Sequence, residues 1–223
     1  MRHRSLGLSM IELLVGTALG LIVVASAAAV VGANVRENRQ LQLEARLMQE
    51  LRSTAALVAR DLRRAGHWSA SASGVRGDAA SAPDANPHRA LSPAQAASNA
   101  VQLSFSRAGG DDLVLDVEER FGFRLRYGVV EVQLGTANWQ AISDAGTLQV
   151  TAFDVEPAVE SIDLQAFCER DCAAGSTTCP PRQQVRSFAL SIEARSTVDP
   201  AVVRWLRGSV RVRNDAVVGS CQE

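Results

Sequence analysis

The chain has 223 residues, 47% of them hydrophobic, and a formal net charge of −1 at pH 7. That supply of apolar side chains is enough for a core and excludes an intrinsically disordered chain. All 23 basic residues are arginine and are spread among 24 acids without forming a cationic face, so no nucleic-acid partner is expected.

The first element is an apolar run. From Leu8 to Val35 the only charged residue is Glu12, and the stretch exceeds the roughly 20 apolar residues that cross a hydrocarbon core. Arg2 and Arg4 precede it, which by the positive-inside bias keeps the N-terminus in the cytoplasm and sends the rest outward. A secretory signal peptide shares the basic start, but its apolar region is shorter and ends at a processing site and turn. Here the run leads straight into a helical pattern. A plain membrane anchor is the other rival; an ionised acid costs about 2.5–3.5 kcal/mol at a helix centre and less near an end, so that reading survives on energy alone.

Beyond Gly32 the composition turns polar while helix formers continue, with no proline before Pro83. Met48, Leu51, Ala55, Val58 and Leu62 recur at spacings of three and four, which makes one apolar stripe. Fewer than three heptads favour packing on the protein's own sheet over a coiled coil. Arg63, Arg64 and Gly66 read as a helix C-terminus with a left-handed cap. A helix from Leu8 to about Ala65 would be roughly 85 Å long at the usual rise per residue. His67 and Trp68 then pack at the junction with the head.

Residues 69–100 are rich in Ala, Ser, Gly and Pro and read as a long mobile connector, with one helical turn at Pro93–Ala97. From Val101 the chain alternates in short segments: VQLSFSR, DDLVLDVE, FGFRLRYG, VVEVQLG, ANWQAIS and TLQVTAFDVE, then the longer QQVRSFALSIEAR and VVRWLRGSVRVRND. These predict one largely antiparallel sheet. Phe105, Phe121, Phe123, Trp139, Phe153 and Phe188 are its expected core, and Trp139 and Trp205 read as buried or half-buried in the sheet. The fold class is therefore α+β, a long N-terminal helix packed on a mainly antiparallel head.

Cys168, Cys172, Cys179 and Cys221 lack the paired CxxC spacing of a zinc site and have no histidine close by. On the outward side of a membrane they read as two disulfides. Of the three pairings that four cysteines allow, Cys172 with Cys179 and Cys168 with Cys221 is preferred. No catalytic residues, metal ligands or cofactors are expected. His3 lies in the basic leader, a Ser-His-Asp arrangement would need His67 or His88 and no nucleophile elbow accompanies either, and Asp111, Asp112, Asp116, Glu118 and Glu119 do not follow a calcium-loop spacing.

The string Gly7-Leu8-Ser9-Met10-Ile11-Glu12-Leu13 resembles the processing signal of type IV prepilins and pseudopilins. The resemblance implies cleavage between Gly7 and Leu8 by an inner-membrane prepilin peptidase, N-methylation of Leu8, and a subunit-pairing role for Glu12. Leu8 stands where the family usually has Phe, and Met10 where Leu is frequent. The physics agrees: a buried carboxylate is tolerated when paired, and the amine released at Leu8 offers a partner in the neighbouring subunit. RDLRRAG and the segments FGFRLRYGVVEVQLG, NWQAISDAGTLQVTAF and SVRVRND are similar to PilW-like minor pilins, relatives of the J-type pseudopilins of type II secretion.

These resemblances imply residues 1–7 as leader, 8–35 as membrane and filament helix, 36–66 as its amphipathic continuation, 67–100 as connector and 101–223 as disulfide-bonded head. They imply a single-pass inner-membrane protein with a periplasmic head that enters a pilus and helps initiate its assembly. Expected partners are other minor pilins, the major pilin, a tip adhesin-like protein and the prepilin peptidase. A J-type pseudopilin is the nearest alternative, and a bitopic anchored binding protein the more distant one.

Overall fold

The computed structural model describes residues 9–74, 84–107 and 113–222. One helix, α1, spans Met10–Arg64, and it is followed by eight strands: β1 Ala100–Ser104, β2 Arg120–Arg126, β3 Val129–Leu134, β4 Asn138–Ala141, β5 Leu148–Asp163, β6 Arg182–Ser196, β7 Val203–Arg211 and β8 Ala216–Val218. The α+β class holds. The chain divides into two compact units, residues 1–45 and 46–223.

In the first unit the described part is the opening of α1. It contains an 18-residue window of mean hydropathy 2.4, none of it buried. Its apolar side chains are exposed on every side: Ile11, Leu14, Leu19, Ile22 and Val31 are 58–72% accessible. A helix apolar all round is stable only inside lipid or other helices. The hydroxyls on it are satisfied internally, since Thr17 Oγ1 donates to the Leu14 carbonyl at 2.9 Å and Ser26 Oγ to the Val23 carbonyl at 2.8 Å. Neither hydroxyl therefore obstructs an apolar environment.

The second unit holds the rest of α1 and both sheets. Leu47, Leu51, Ala55, Val58 and Leu62 are buried and join one hydrophobic cluster with strand residues, so the stripe packs on the protein's own sheets. Leu47 heads the stripe in place of Met48, which is only partly buried. The expected single sheet is two. The first is four-stranded in the order β1-β2-β3-β4; the second runs β5-β6-β7, with β8 paired to β6. All pairings are antiparallel. The break falls after β4, where Ser143 Oγ accepts the Val130 N–H at 3.0 Å and Gly128 accepts the Val150 N–H at 2.8 Å. These bonds hand the chain from one sheet to the next without continuing the ladder.

Other expectations fail for local reasons. DDLVLDVE is not a strand in its described part: Val117–Glu119 is a 3-10 turn, with the Asp116 N–H donating to Glu119 Oε2 at 3.2 Å. Carboxylate-to-backbone bonding outcompetes the ladder there, and Val114 and Val117 are exposed. The helical turn at Pro93–Ala97 is absent; Ser92 bridges Gln102 and Ser98 bridges Val155 instead. Those bridges link the end of the connector to both sheets. β5 continues past Pro157 because Val155 turns its N–H and carbonyl towards Ser98. Pro157, two residues on, lacks its N–H on that same outer side, so the ladder to β6 loses nothing.

Five of the expected aromatic residues are buried: Phe105, Phe121, Phe123, Phe153 and Phe188, each 5% exposed or less. Trp139 is instead half-buried on edge strand β4, with the Arg124 guanidinium 3.8 Å above its ring. Trp205 is 62% exposed, contrary to the buried reading. Trp68 is buried but His67 is not.

Candidate functional site

The residue that interrupts the apolar run, Glu12, lies in the first turn of α1. A helix N-terminus carries a partial positive charge that favours an acid. Leu13 closes the helix start through its N–H to the Ser9 carbonyl at 3.1 Å. Glu12 is exposed and has no ion pair among the described residues. Gly7 and Leu8 lie outside the described residues. Between residues 9 and 35 the helix thus carries one carboxylate, near the start of an otherwise apolar surface. By length and composition this helix is able to cross a membrane.

The four cysteines form two disulfides in the second unit. Cys168 and Cys221 bridge with Cα atoms 5.4 Å apart, and Cys172 and Cys179 with Cα atoms 5.5 Å apart. The first ties the β5–β6 connection to the C-terminal segment, and the second closes a loop within that connection. The Ser220 N–H donates to the Thr178 carbonyl at 2.9 Å. A side chain on Gly219, whose φ is +86°, would fall on that same carbonyl oxygen, so only glycine fits.

His88 is fully buried, an outcome no local pattern announced. Its Nε2 is 3.2 Å from Ser106 Oγ and 3.8 Å from Glu119 Oε2, while Nδ1 has no partner. A serine, a histidine and an acid do meet, but both reach the same ring nitrogen. The relay of a hydrolase needs the acid on Nδ1 and an accessible serine, whereas Ser106 is buried. Among the described residues no three His, Cys, Asp or Glu side chains converge as metal ligands. Asp111 and Asp112 lie outside the described residues, and Glu119 is occupied in the 3-10 turn.

The end of α1 is built by residues far apart in sequence. Gly66 adopts φ +74° and donates its N–H to the Ser104 carbonyl at 2.9 Å, while Asn86 Nδ2 donates to the Gly66 carbonyl at 2.9 Å. Arg213 donates its N–H to the Arg63 carbonyl at 3.1 Å. Arg186 lies over this cap, giving Nη1 to the Arg89 carbonyl at 2.5 Å and Nη2 to the Asn214 carbonyl at 2.8 Å. Burial pushes its guanidinium below the ordinary arginine value, and the charge of Asp215 partly restores it. A signal for this residue was present: in QQVRSFALSIEAR, Arg186 shares the inward row with Phe188, Leu190, Ile192 and Ala194.

The profile of a family described as Prepilin peptidase-dependent protein B matches residues 40–212. No curated protein and no solved structure matches the chain. The matched segment holds the packed half of α1 and both sheets up to the end of β7, and leaves out the apolar N-terminal run. The match thus rests on the head and the packed half of the helix. The chain belongs to the Prepilin peptidase-dependent protein B family and is a pilin-like protein.

Proposed function

We propose that the chain is a minor pilin of the PilW-like kind, which helps initiate a type IV pilus by bundling its N-terminal helix with those of other minor pilins. The observation that carries this reading is α1 itself, apolar on all sides over its first half with Glu12 in its first turn. Residues 1–7 are the leader, the peptidase cuts between Gly7 and Leu8, and Leu8 becomes the N-methylated terminus. Before assembly the protein is single-pass in the inner membrane with its head in the periplasm, where the two disulfides are stable.

Glu12 pairs with the Leu8 amine of a neighbouring subunit. A carboxylate and an ammonium each cost several kcal/mol to desolvate alone and far less as a pair. The neighbour at the matching height is therefore favoured over a slipped one, and Glu12 sets register. Other minor pilins, the major pilin and a tip adhesin-like protein are the partners of this helix and of the head.

Mass spectrometry of the chain from cells with and without the prepilin peptidase tests the processing. The sequence contains no lysine, so the N-terminus is the only amine and an amine-reactive tag reports it alone. The expected result is a terminus at Leu8 carrying one methyl group, present only with the peptidase. Retention of Met1 in both strains would falsify the reading. Glu12→Ala should still be cleaved but should fall out of filaments; incorporation at the level of the unchanged protein would remove Glu12 from the mechanism.

A further inference from the structure

The head carries an open sheet edge. β7 pairs with β6 on one side, and no strand lies on its other side among the described residues. The hydrogen-bond phase shows which groups face outward. Ser196 donates to the Val202 carbonyl and Val212 donates to the Arg186 carbonyl, both across the β6–β7 ladder. The even-numbered residues of β7 therefore point their backbone groups at β6, and Val203, Trp205, Arg207, Ser209 and Arg211 point theirs away. Arg204 Nη1 bonding the Val203 carbonyl agrees with that phase.

The same five residues have exposed side chains, with Trp205 62% and Val203 40% accessible. At the far end the edge closes where the Arg213 N–H is taken by the Arg63 carbonyl. About seven residues of unpaired ladder remain beside a half-exposed aromatic ring. β7 holds three arginines, Arg204, Arg207 and Arg211, and no acid. Arg207 and Arg211 lie on the exposed face, where Arg211 Nη2 is 3.1 Å from Asp215 Oδ2, and Arg204 lies on the other face.

Arginine on a free edge repels a like edge, so a second copy of β7 is a poor occupant. We propose that the β7 edge takes up an extended strand of a different protein, one alternating carboxylates with apolar residues. The carboxylates lie on the face of Arg207 and Arg211, four residues apart, and the apolar side chains on the opposite face, beside Leu206 and Val210. A polynucleotide would meet the charge but cannot return both the donors and the acceptors of a strand ladder. This surface lies in the second unit and owes nothing to the N-terminal processing signal.

The test uses the full chain in detergent and a fluorescein-labelled nine-residue peptide alternating valine and glutamate, followed by anisotropy. The peptide should bind, and its lysine counterpart should not. Two further peptides, N-methylated on all the glutamates or on all the valines, each lose the donors of one strand edge. One should bind at least tenfold more weakly than the parent and the other like the parent; equal binding by the two overturns the proposal. Ser209→Pro removes an outward N–H that β6 does not use, and Arg207→Glu reverses a facing charge. Each should weaken binding at least tenfold with melting of the head unchanged. Undiminished binding by Ser209→Pro overturns the proposal, as does displacement of the peptide by a ten-residue oligothymidylate at equal concentration.

Discussion

Arg186 is charged inside the head with no acid in direct contact, held by two carbonyls from distant segments, those of Arg89 and Asn214. Replacing it with methionine keeps the volume and leaves both acceptors buried. Each orphaned acceptor costs about 1–3 kcal/mol, offset in part by removal of a desolvated charge. Arg186→Met should lower the urea stability of the head by about 1–3 kcal/mol. The sign of its pH dependence follows from the lowered value: the unfolded chain holds the proton more tightly, so stability rises with pH only where the folded guanidinium starts to lose it. That window is strongly alkaline. The difference between Arg186→Met and the unchanged protein should therefore be flat between about pH 5 and pH 9; a slope there would mean that another group titrates with it. Period-two alternation was sufficient to put Arg186 on the inward row. His88 had no such signal, because its burial depends on a connector that bridges to Gln102 and Val155.

At the scale of elements, α1 is one helix with two kinds of surface. In the head-side half, Leu62 is fully buried among strand residues, so Leu62→Ala should destabilise the head by about 2–5 kcal/mol. Leu19 is 58% exposed, and Leu19→Ala should leave head unfolding within about 0.5 kcal/mol of the parent. Urea unfolding in detergent, followed by near-ultraviolet dichroism, separates the two. If both variants lost stability equally, the division of the helix by function would be wrong. The existence and type of this helix were legible from periodicity and from the arginine-glycine ending. The mistaken strand at DDLVLDVE shows the opposite case, where alternation was present but a capping turn used the same carboxylates first.

For the whole molecule, the disulfides close chain segments of very different length, with sequence separations of 53 for Cys168–Cys221 and 7 for Cys172–Cys179. Loop-closure entropy makes the longer link worth about 4 kcal/mol and the shorter about 2.5 kcal/mol. Paired serine substitutions at Cys168 and Cys221 should thus lower the midpoint of unfolding more than those at Cys172 and Cys179, and the reverse order would contradict a loop-closure origin. Residue order alone was enough to determine the apolar span with its one acid, the helix stripe, most of the strands and the α+β class, because each is a periodicity carried by neighbours along the chain. Only the tertiary structure decided that the strands divide into two sheets, that His88 is buried, which carbonyls hold Arg186, and that β7 is left open with Trp205 exposed. Those outcomes depend on which distant segments supply hydrogen bonds and which edge receives none, and no local pattern encodes that.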